Sequence, residues 1–307
     1  MTNFPHGLSS YGIPLIGSGP VLTTGKVLFV HYSTGTDSPG RGTDSANPLK
    51  TLDYAIGLCR ANKNDVIFLM PGHSESLTAA GSVTVDVAGV TIIGIGRGAT
   101  RPTFTYTTAV SASFLISAAD VSVVNCLFVG GIDALTQPIN ITGADCQLLL
   151  IETRDVAATY QATDFILTSA GASRLLIDGW VHRGDTAAGA NSALAIVGGD
   201  GIRVKNFDII GNFAVAAIDV RTTATTQLRV RDGNVRTYNA ADLCIKDTIT
   251  ASTGFIGPGL YFMLTDHAAN ITEAVTGATF VVFDDVYVCN LAGEKGMLIN
   301  WVASTDA

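Results

Sequence analysis

The chain has 307 residues, 47% of them hydrophobic and only 14% charged, with a formal net charge of −8. That length can bury a large core in one elongated domain. The negative balance, with no Lys/Arg cluster along the sequence, argues against nucleic-acid and anionic-membrane partners, which need basic patches.

Residues 1–25 stand apart, with Pro5, Pro14, Pro20 and five glycines among scattered apolar residues, Phe4, Leu8, Tyr11, Ile13 and Leu15. Proline favours extended chain. A disordered tail is one reading. The apolar and aromatic content favours the other, an extended arm that orders on a partner surface through those five side chains. The opening MTNFPHGLSS has neither a basic start nor an apolar signal core. The five cysteines, Cys59, Cys126, Cys146, Cys244 and Cys289, are far apart and read as reduced core thiols after cytoplasmic synthesis.

A body is expected over 26–250. Val27 to Val30 reads as a first strand, and a polar loop follows. Leu52, Ala55, Ile56 and Cys59 recur at helical spacing, which places a short amphipathic capping helix at 50–61. Asp65 to Gly72 is a buried strand ending in a Pro-Gly turn. From 84 to 247 a pattern repeats six times, anchored on Val90, Val121, Leu148, Leu175, Ile202 and Leu228, with spacings of 27, 27, 27 and 26 from Val121 onward. The second residue after each anchor is apolar. The fourth is Gly94, Asn125, Glu152, Gly179, Asn206 or Asp232.

A second strand precedes each following anchor, starting at Phe114, Ile139, Phe165, Ala193, Ala217 and Leu243. Such a period means a solenoid whose copies bury their apolar faces against each other. The expected fold is all-β, a right-handed parallel β-helix, the hand following the crossover rule for parallel strands. A leucine-rich repeat fits less well, because no helix pattern recurs. Leu149 and Leu176 fall one residue after their anchors, where side chains point outward, and form an expected exposed patch. Residues 251–307 lose the period and read as a C-terminal cap or as strands that pair with copies of the protein.

Little in the sequence carries chemistry. Glu152, Asp178, Asp208 and Asp232 form no aligned carboxylate column, and the adjacent Asp284 and Asp285 point to opposite faces of a strand. The histidines His6, His31, His73, His182 and His267 lack metal-ligand spacing and read as loop residues. Trp180 and Phe207, each five residues after its anchor, read as a corner stack, with a ligand platform as the alternative. No catalytic, metal or cofactor residue is assigned.

The segment Val27 to Leu77, with GTDSPGRGTDSANPLKTLDYAIGLC and NDVIFLMPGHSESL, resembles the start of pectin-lyase-like β-helices, and AGVTIIGIGRGATRPTF extends the likeness into the repeats. The Gly-His-Gly and Arg-Ile-Lys motifs of polygalacturonases are absent, so the resemblance carries over no catalytic residue. The opening FPHGLSSYGIPLIGSG is similar to the N-termini of phage virion proteins that accompany the major capsid protein. These likenesses imply a capsid decoration (cement) protein on the virion exterior, a homotrimer binding the major capsid protein, with neither nucleic acid nor membrane as partner. The alternatives are a tailspike or tail fibre that binds or cleaves host polysaccharide, and, more weakly, a cellular carbohydrate-active enzyme.

Overall fold

A computed structural model describes residues 8–10, 13–15, 23–155, 161–187, 189–238, 243–247, 249, 251–264, 274–276, 280–282, 285–290 and 295–297. The chain winds as a right-handed parallel β-helix with three faces, and every ladder along the body is parallel. The first face stacks Val27–Val30, Val66–Leu69, Thr91–Gly94, Ser122–Val124, Gln147–Leu149 and Leu176–Asp178. It continues through the first halves of Arg203–Gly211 and Leu228–Thr237 to Gly254–Ile256 and Phe280–Val282. The second face runs from Ser74–Leu77 to Val286–Asn290. The third contains all six strands expected before the anchors, flanked by Val83–Val85 and Val275–Thr276.

Alternation builds the core. On the first face Ile92, Val123, Leu148, Ile177, Val204 and Val230 stack inward, each almost fully buried. Burying a side chain of this size contributes about 1.5–3 kcal/mol. The second face stacks Phe104 on Phe128, with centroids 5.4 Å apart. Its inward column then turns polar at Thr153 and His182.

Two backbone corners set the period. The residue before each first-face strand's leading buried residue is left-handed: Gly89, Asp120, Asp145, Arg174, Gly201 and Gln227. Five residues later a second left-handed corner recurs at Asn125, Leu150, Gly179, Asn206 and Asp232. This corrects the third copy of the repeat. Val123 pairs with Leu148, so the true anchor is Cys146, and Leu150 holds the corner assigned to Glu152. Glu152 belongs to the second face, opposite Leu127. The leucine patch fails with it, because Leu149 lies between Val124 and Asp178 whereas Leu176 lies between Gln147 and Arg203. Leu149 and Leu176 are therefore not stacked, and both are half-buried.

The helix covers Leu52–Gly57, shorter than 50–61, because the Asp65 carboxylate takes the backbone N–H of Arg60 at 2.7 Å. Leu52, Ala55 and Ile56 face the core. The Asp53 carboxylate accepts the N–H of Thr84, at the edge of the third face, at 3.0 Å. The helix thus covers an edge that the coils leave unpaired. At the N-terminus Leu8–Ser10 pairs antiparallel with Ile13–Leu15, so part of the expected extended arm is a hairpin. Leu8, Ile13 and Leu15 lie in it, whereas Phe4 and Tyr11 lie outside the described residues.

Candidate functional site

The outer side of the second face changes character along the axis. In the middle coils its charged residues are paired: Arg101 with Glu152 at 2.9 Å, Arg154 with Glu152 at 2.5 Å, and Arg183 with Asp208 at 2.6 Å. Toward the C-terminal end the same columns become aromatic and apolar. Asp208 is followed by Asn234, Tyr261 and Tyr287, and Ile210 by Arg236, Met263 and Cys289. Tyr261 and Tyr287 stack with centroids 5.5 Å apart and planes within 12°. Asp285 accepts a hydrogen bond from the Tyr287 hydroxyl and, with its charge, holds that phenol above its usual range.

A groove of about 670 Å³ lies at this end, with the outward Tyr261, Met263, Tyr287 and Arg236 in its lining. Lys295–Met297, antiparallel to Val286–Asn290, carries Gly296 into its lining. Phe255 and Val281 extend the apolar surface on the first face of the same coils. This surface lies after residue 250, where the sequence period loosens. Its tyrosines are separated in sequence, and only the coil register stacks them.

The strongest perturbations of ionisable groups lie inside the coil. His182, read from sequence as a loop residue, is an inward strand residue ringed by Phe165, Trp180 and Phe213. Burial pushes its imidazole down to about 3, and the Arg183 charge adds to this. Trp180 Nε1 donates to Thr153 Oγ1 at 2.9 Å, which leaves the threonine proton free for His182 Nδ1 at 2.8 Å. That assigns the His182 proton to Nε2, 3.9 Å from Asp155 Oδ2. Burial raises the Asp155 carboxyl to about 7, against the opposing bond from the Ala162 N–H.

His73, also buried, meets Glu75 at 3.1 Å, and the same Glu75 oxygen accepts the N–H of Leu52. On the third face Arg221 joins Asp164 to Asp219, and burial raises the Asp219 carboxyl. These groups secure the helix cap and the coil interior. Trp180 and Phe207 are both buried, so neither ring stands on the surface as a ligand platform. The four carboxylates singled out from sequence are each held by a cation: Glu152 and Asp208 as above, Asp178 by Lys205 at 2.9 Å, Asp232 by Arg231 at 2.8 Å.

The class defined by this geometry is a right-handed parallel β-helix with an apolar outer groove. Among solved structures, a rhamnogalacturonan lyase is similar at a TM-score of 0.44 and 12% sequence identity, covering 80% of this chain and 75% of that one. No protein-family model matches the chain, and no curated protein matches it.

Proposed function

We propose that the protein is a non-catalytic structural component of a phage virion, a decoration (cement) protein that binds the exterior of the assembled head. One observation carries the binding role. Phe255, Tyr261, Met263, Val281 and Tyr287 stand 42–55% exposed on the outer faces of consecutive coils of a stacked solenoid. Grouped apolar exposure of this kind marks a contact surface. The N-terminal hairpin adds support, because two strands alone are marginal in water and need a surface to pack on. The likeness of the opening segment to virion proteins points to the major capsid protein as that surface.

In this reading the arm and one side of the β-helix grip neighbouring capsid subunits, and the protein assembles with itself as a trimer. Quantitative mass spectrometry of purified particles tests it. The expected result is one copy for every few capsid subunits. A handful of copies per particle, or a location on the tail, overturns it. The stacked Tyr261 and Tyr287 favour a second reading, a tailspike that binds host polysaccharide on flat rings. Release of reducing sugar from host envelopes by the purified protein would support that reading against the first.

A further inference from the structure

The chain is acidic overall, yet the fold gathers cations on one small area. On the outer side of the first face, two consecutive coils present Arg203 and Lys205, then Arg229 and Arg231. The register sets Arg203 beside Arg229 and Lys205 beside Arg231, about 4.8 Å apart from strand to strand. Like charges directly opposite on neighbouring strands destabilise a sheet, and here they occur twice in the same pair of coils. Two of the four have carboxylate partners, Lys205 with Asp178 and Arg231 with Asp232. Arg203 and Arg229 are exposed, and among the described residues neither forms an ion pair. Leu176, Arg203, Val204, Lys205, Arg229 and Arg231 line a concavity of about 160 Å³ between them. At roughly 30 Å³ per water, that volume suits one tetrahedral oxyanion with a few waters.

We propose that this concavity binds a doubly charged tetrahedral oxyanion, phosphate or a phosphate monoester. Four cations against the two carboxylates leave an excess of two positive charges, which a dianion neutralises. Arg203 and Arg229 supply forked N–H donors from adjacent coils, the geometry that suits phosphate oxygens. Lys205 and Arg231 contribute charge from the next outward position, and Leu176 closes the N-terminal side. The sequence hides the site because its paired cations lie a full coil apart. The site does not depend on the virion role.

Isothermal titration of the full chain at low ionic strength tests it with inorganic phosphate and with glucose 6-phosphate. The expected result is saturable binding that weakens as the probe loses its second charge on acidification, below about 6 for the monoester and from a higher pH for inorganic phosphate. Arg203→Gln/Arg229→Gln should weaken it at least tenfold with melting unchanged or raised. Lys63→Gln/Arg97→Gln, which removes exposed cations elsewhere, should not. Binding of both probes assigns the site to a monoester end, and binding of phosphate alone assigns it to the free ion. No saturable binding, equal losses in the two double variants, or tighter binding of a short single-stranded DNA than of phosphate overturns the proposal.

Discussion

His182 and Asp155 are both neutral inside the coil at pH 5–6, although both are charged in the unfolded chain, where they titrate near 6.5 and 3.9. Folding therefore passes one proton from histidine to carboxyl. Each group alone has a pH slope. His182, lowered to about 3, lends stability that is full above about 6.5 and lost as pH falls through that window. Asp155, raised to about 7, lends stability that is full below about 4 and lost as pH rises to 7. Between about 4 and 6.5 the slopes cancel. Asp155→Asn should unmask the first, so that the unfolding free energy from urea titration falls relative to the parent between pH 6.5 and 4.5, by up to about 1.4 kcal/mol per pH unit. His182→Gln should unmask the second, with the opposite trend. Parallel curves for parent and both variants would refute the proton transfer. Leu150 is a second residue-scale case, a left-handed β-carbon-bearing residue 59% exposed at a corner that Asn125 and Asn206 fill with asparagine. Asn125 donates from its side chain to the Gly94 carbonyl at 2.8 Å, and Asn206 to Asp178 at 2.7 Å. Leu150→Asn should raise stability by about 1 kcal/mol, read as a small increase in melting temperature by calorimetry.

Secondary elements were legible wherever inward columns were purely apolar. The third-face strands and the first-face anchors alternate Val, Ile, Leu and Phe, and the structure keeps nearly all of them. The reading slipped at Cys146, Leu148 and Leu150, where apolar residues at three alternate positions allow two registers and the turn position holds leucine instead of a turn former. The second face escaped as a face of its own because its inward column includes Thr153 and His182. Trp180, Thr153 and His182 are joined by hydrogen bonds across coils, which no single strand reveals. The coil interior gives a sharp prediction at this scale. Val204, fully buried between Ile177 and Val230, cannot accept a charge without a partner. Val204→Asp should leave the protein insoluble or lower its melting temperature by many degrees. Gly233→Ala is a milder version, because a β-carbon there would meet the Phe207 ring at 2.5 Å. It should cost about 1–3 kcal/mol in denaturant unfolding.

The whole molecule sorts polar and apolar groups in a way that bears on function. Its ionisable clusters with large shifts are sealed inside the coil, whereas large apolar side chains stand outside on the C-terminal coils. The candidate groove was not legible in the sequence, because Asn234, Tyr261 and Tyr287 come from three coils and acquire meaning only through their register. A binding role for that groove makes a prediction that separates contact from folding. Tyr261→Ser/Tyr287→Ser removes outward rings and leaves the inward Phe262 and Val288 in place, so melting should shift by no more than a degree or two. Interface tyrosines that anchor a contact cost about 2 kcal/mol or more each on truncation. Under the proposed decoration role, occupancy on phage heads, measured by co-sedimentation with capsids lacking the protein, should therefore fall more than tenfold. If the double variant instead binds heads normally but no longer self-associates in analytical ultracentrifugation, the groove is a self-association surface and the proposed capsid contact falls to the N-terminal hairpin. Undiminished capsid binding together with undiminished self-association would remove the apolar groove from the account of what this protein does.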